Sequence, residues 1–88
     1  MIEREYTILA PEGMHARPAT AMVKLARKYT AAIVISAGDR EGRLTSLLNI
    51  LSMHIKGGSI ITLTFDGADE ADAAAAFDDF FSQHLKDW

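Results

Sequence analysis

Hydrophobic and polar residues alternate or recur along this chain with periods that predict seven elements. Residues 2–9 alternate, with Ile2, Tyr6 and Ile8 set against Glu3, Glu5 and Thr7, the pattern of a half-buried strand. Pro11-Glu12-Gly13 ends it. Ala19, Met22, Val23 and Ala26 then recur at helical spacing, predicting a helix over 16–28 with Arg17, Lys24 and Lys28 on the opposite face. Residues 32–36 and 40–44 read as two short strands joined by a turn at Ala37-Gly38-Asp39. Residues 47–53 read as a short apolar helix, closed by Gly57-Gly58. Residues 59–65 are a fourth strand, with Ile61, Leu63 and Phe65 on one side and Thr62 and Thr64 on the other. A last helix over 69–86 carries Ala74, Phe77, Phe81 and Leu85 as its core stripe.

The order βαββαβα, with polar residues on alternate strand positions, calls for one covered sheet face and one wet face. The fold class is therefore α+β: a four-stranded, mainly antiparallel sheet with three helices on one face, an open-faced sandwich. The 88 residues form a single domain over 1–88, with no repeat or linker. A domain of this size buries about 60% of the surface its unfolded chain exposes, enough to fold alone.

Composition narrows the function. There is no cysteine, which excludes disulfides, thiol catalysis and thiolate-bound metal and fits a reducing compartment. Charges at residues 3–5 with no apolar signal core behind them, and no apolar run of membrane-spanning length, predict a cytoplasmic protein without a membrane partner. The net charge of −3 argues against nucleic acid. That charge is uneven. Residues 13–38 hold no acid but four cations, Arg17, Lys24, Arg27 and Lys28, whereas seven acids and one Lys lie from Asp66 onward. One surface is expected to attract an acidic partner.

The informative segment is Gly13-Met14-His15-Ala16-Arg17-Pro18-Ala19-Thr20. Pro18 suits a first helical turn, where a missing N–H costs nothing. That puts His15 at or beside the N-cap, a position usually held by Ser, Thr, Asp or Asn. Free N–H groups and the positive dipole end hold an anion there, and Arg17 adds a fork for phosphate oxygens. Neutral imidazole is a nucleophile near pH 7. A nucleophile and a phosphate cradle thus fall within three residues, and no metal or other cofactor is needed. Taken singly, a histidine beside a helix start is more often an ordinary surface residue.

The eight-residue string closely resembles the active-site motif of the HPr family, the phosphocarriers of the phosphoenolpyruvate:sugar phosphotransferase system. The resemblance spans essentially the whole chain and includes Thr45-Ser46, Gly58 with residues 59–63, and Gly67-Ala68-Asp69-Glu70. It implies that His15 is phosphorylated on Nδ1 by Enzyme I, at the expense of phosphoenolpyruvate, and that the phosphoryl group passes to sugar-specific enzyme IIA domains. Arg17 assists the transfer, and the backbone of Ala16 and Arg17 is expected to hold the phosphate. Such a carrier has no turnover of its own.

Ser46 reads locally as a plain N-cap of the short helix. The resemblance adds a second reading, a regulatory phosphoserine made by an HPr kinase/phosphorylase, in which case a transcriptional regulator becomes a further partner. Thr45, Asn49 and Met53-His54 depart from the family's usual Lys, Gly and Leu-Gly there. Leu47, Leu48 and Leu51 form a candidate docking patch with Thr20, Lys24 and Arg27, each leucine being equally readable as core. Alternative functions are a regulatory HPr-like protein acting through phospho-Ser46, against which His15 argues, and a carrier in a nitrogen-related or dihydroxyacetone phosphotransfer chain. A monomer is expected. His54 reads as a loop or helix-end residue and His84 as a helix-surface residue. Two such histidines with no third ligand make no metal site. Asp69-Glu70 is expected to complement the start of the last helix, and Asp78, Asp79 and Asp87 to form a solvated face.

Overall fold

The computed structural model describes residues 1–8, 13 and 16–83. Seven elements follow the predicted order: β1 (Ile2–Thr7), α1 (Ala16–Ala26), β2 (Ala32–Ala37), β3 (Arg40–Arg43), α2 (Leu47–Ser52), β4 (Ile60–Asp66) and α3 (Glu70–Gln83). The strands form one sheet in the order β1-β4-β2-β3, antiparallel at every junction. β4, last in sequence, thus lies between β1 and β2, pairing Ile2 with Phe65 on one side and Ile33 with Phe65 on the other.

The strand periodicity sorts the two faces. Ile33, Ile35, Ile61, Leu63 and Phe65 are buried beneath the helices, joined by Ala19, Met22, Val23 and Ala26 of α1, Ile50 of α2, and Ala73, Ala74 and Phe77 of α3. Thr62 and Thr64, facing the other way, stay half-exposed. Phe77, Phe80 and Phe81 all lie in or at the core, as their spacing predicts. Leu85, His84, Asp87 and Trp88 lie outside the described residues. Past Ala26 the chain leaves α1 in a tighter turn, with the N–H groups of Lys28 and Tyr29 bonding carbonyls three residues back.

Two polar clamps join elements far apart in sequence, and both add a contact that the sequence pattern does not show. The Asp69 carboxylate, at the start of α3 as expected, also accepts from the backbone N–H groups of Thr30 and Ala31, each at 2.8 Å. Those hydrogen bonds hold its carboxyl below the usual carboxylate range. Glu70 and Asp72 do occupy the first turn of α3, where acid complements the dipole. Asp78, exposed beside Asp79 as expected, also accepts from the Tyr6 hydroxyl at 2.5 Å and pairs with Arg4 at 3.5 Å. The Tyr6 ring lies flat on Phe81, centroids 4.1 Å apart. This fastens β1 to α3. Partial burial, together with the bond to Asp78, pushes the Tyr6 hydroxyl well above its ordinary pKa.

Candidate functional site

The candidate site is the segment around the start of α1. Helix geometry begins at Ala16, the residue after His15 in sequence, and His15 itself lies outside the described residues. Ala16 and Arg17 are exposed, while Pro18 is fully buried and anchors the first turn to the core. Its missing N–H falls among the first four of the helix, which lack intrahelical partners in any case. No acidic residue stands in the first turn of α1. The cation of Arg17 sits at the positive dipole end, which disfavours it locally and raises the potential offered to an anion. The acid-rich first turn of α3 shows the opposite choice within the same chain.

Thr20 is half-buried, and its hydroxyl donates to the carbonyl of Ala16 at 2.6 Å, bracing the turn from within. Gly13 braces the chain on the other side of His15. It is buried at φ +74, and a Cβ there would fall against the carbonyl oxygen of Ile55 and 2.8 Å from both Gly57 N and Lys56 C. Only a residue without a side chain fits so close to the α2–β4 connection in that conformation. The sequence signalled a break at Gly13 but not the contact that requires it.

Lys24, on α1, and Arg27, in the turn just after it, are exposed. Arg27 also donates from Nη2 to the carbonyl of Thr45 at 3.1 Å, tying the end of α1 to the entry of α2. Ser46 is the N-cap of α2, with extended backbone, and its hydroxyl oxygen accepts the N–H of Asn49 at 3.4 Å. The three leucines divide. Leu48 is 79% exposed, whereas Leu47 and Leu51 are half-buried against the core. The apolar patch therefore centres on Leu48. His54 follows the α2 helix at its end, as its sequence position predicts, in the left-handed region at φ +51. Among the described residues, no group of three His, Cys, Asp or Glu side chains could hold a metal ion, and no helix is long and apolar enough to cross a membrane.

The described residues thus give a small open-faced sandwich with an acid-free start to α1 and with Lys24, Arg27 and Leu48 exposed. Comparison with known proteins gives the family. The PTS-HPr family model, whose description is "PTS HPr component phosphorylation site", matches residues 2–83. Phosphocarrier protein HPr of Mycoplasma capricolum is 42% identical over 64 residues, which is 73% of this chain and 72% of that protein. The solved histidine-containing phosphocarrier protein of mycoplasma aligns with a TM-score of 0.90 at 34% identity, covering 96% of this chain and 97% of the other. A crystal structure of HPr-C-His from Thermoanaerobacter tengcongensis gives 0.88 at 29% identity, covering 93% and 92%. The chain belongs to the HPr family of phosphocarrier proteins.

Proposed function

We propose that this protein accepts a phosphoryl group on Nδ1 of His15 from phospho-Enzyme I and passes it to enzyme IIA domains during carbohydrate uptake. Membership in the phosphocarrier family, with a His-Ala-Arg-Pro string at the start of α1, carries the proposal. The neutral imidazole attacks phosphorus, and the Enzyme I group that carried the phosphoryl leaves. The N–P bond formed on this chain is labile enough for a nucleophile of the IIA domain to attack phosphorus in turn, with the His15 imidazole as leaving group. Charge on the transferring group is met by the dipole of α1, by backbone N–H groups at Ala16 and Arg17, and by the Arg17 guanidinium. The protein works as a monomeric cytoplasmic carrier with no turnover of its own. Lys24, Arg27 and Leu48, with Thr20, Leu47 and Leu51 supporting them, form the docking surface for acidic partners.

Intact-protein mass after incubation with phosphoenolpyruvate and Enzyme I tests the reading. A one-phosphate gain that acid removes and that His15→Ala abolishes is the expected result. A folded His15→Ala protein that still gains the phosphate would overturn it.

A second reading concerns Ser46. Its hydroxyl caps α2 next to the exposed Leu48, so a phosphate there would put negative charge beside the docking patch without opposing the helix. An acid-stable phosphate gain with ATP and an HPr kinase/phosphorylase, lost in Ser46→Ala, supports regulation at this position and recruitment of a transcriptional regulator. No gain in that reaction removes it.

A further inference from the structure

Between the β2–β3 turn and the α2–β4 connection lies an open cavity of about 450 Å³, within the size range of small-ligand sites. Arg40, His54 and Lys56 line it, with Asp39 the lone acid and Ser59 a further hydroxyl. We propose that this cavity binds a small phosphate monoester, held by Arg40, His54 and Lys56.

Three observations carry the assignment. The first is charge: two permanent cations and an imidazole face one carboxylate, so the cavity is left with unmatched positive charge that suits a dianion. The second is preorganisation. Arg40 donates from Nη1 to the carbonyl of Met53, the C-cap of α2, which fixes the guanidinium at the cavity wall. One of its five N–H donors is used there, and the rest of the fork is of the kind that grips phosphate oxygens. The third is His54. At φ +51 it occupies a conformation in which Gly or Asn ordinarily ends a helix, and a histidine there carries a steric cost. Its backbone N–H bonds the carbonyl of Leu51, which a glycine would do equally well. Beyond the favourable interaction of an imidazole with a helix C-terminus, His54 places on the cavity wall a side chain with an N–H donor in either protonation state, which a glycine could not.

The His54→Gly variant separates the two roles. It should melt higher than the parent, since the strained backbone is relieved, and yet bind phosphate about tenfold more weakly, the loss of one charge-assisted hydrogen bond. The assay is amide NMR of the full chain titrated with inorganic phosphate and with phenyl phosphate, against sodium chloride at matched ionic strength. Saturable shifts at residues 38–40 and 53–56, absent with chloride and weakened in His54→Gly and Lys56→Gln, are expected. Non-saturating shifts that track ionic strength would overturn the proposal, as would shifts confined to Ala16 and Arg17, which would assign the anion to the start of α1. Equal affinity in the parent and the folded His54→Gly variant would overturn it too.

Discussion

Gly13→Ala tests how the chain before His15 is held. Two effects combine at that position. A left-handed φ of +74 costs an L-residue about 1–2 kcal/mol. A Cβ would also fall against the backbone of residues 55–57, which is carbonyl and amide and not the end of a flexible side chain. Overpacking of this kind costs about 1–3 kcal/mol. Gly58→Ala supplies the control. Its φ is +86, but a methyl group there would meet no atom within 4 Å, so only the conformational cost applies. Thermal melts should therefore rank the pair: Gly58→Ala lower than the parent by roughly 4–8 °C, for about 1 kcal/mol, and Gly13→Ala lower by about two to three times as much. The total remains within the roughly 5–15 kcal/mol a domain has, so both variants fold. Phosphoryl acceptance from Enzyme I should slow in Gly13→Ala and stay at the parental rate in Gly58→Ala. Equal melting points for the two variants would refute the close approach, and with it the account of how the segment is braced.

The clamps and the docking face give further expectations. Tyr6→Phe keeps the stack on Phe81 but removes the hydroxyl from Asp78, and urea unfolding should show a loss of about 1 kcal/mol. The depressed Asp69 carboxyl contributes stability that is present above its unfolded pKa and is lost as pH falls through the lower folded value; Asp69→Asn should therefore weaken the fold at neutral pH and flatten the acid limb of the stability curve below about pH 4. Ser46→Ala should cost about 0.5–1 kcal/mol through the lost cap, at the low end because the bond is long, as read by the urea midpoint. Leu48→Ala should leave stability within about 0.5 kcal/mol and still weaken Enzyme I binding by calorimetry, since the side chain meets mainly solvent.

The periodicities made the fold legible. Ile61, Leu63 and Phe65 repeat every second residue, and Ala19, Met22, Val23 and Ala26 at helical spacing, because each face has one environment, so all seven elements and their order could be read. Element ends shifted by a few residues where caps and turns, rather than burial, decide. What stayed hidden are contacts between residues distant in sequence. Asp69 beside a helix start looks like an ordinary first-turn acid; only the close return of the chain at Thr30 and Ala31 gives its carboxylate other donors. Asp78 and Asp79 look alike in sequence, and the register of β1 against α3 brings Tyr6 and Arg4 to Asp78. Of the site, the start of α1, the Ser46 cap and the place of His54 were legible from local rules. The division among Leu47, Leu48 and Leu51 was not, because a six-residue helix is too short for its periodicity to define a buried side.

The central claim is that His15 carries a phosphoryl group between two proteins, and its most direct test is a relay followed by mass. The chain, charged by Enzyme I and phosphoenolpyruvate and then separated from them, is mixed with a IIA domain, and both masses are read over time. The account predicts one phosphate on this chain, mapped to His15, that disappears as one appears on the IIA domain. A phosphate that maps to another residue would contradict it.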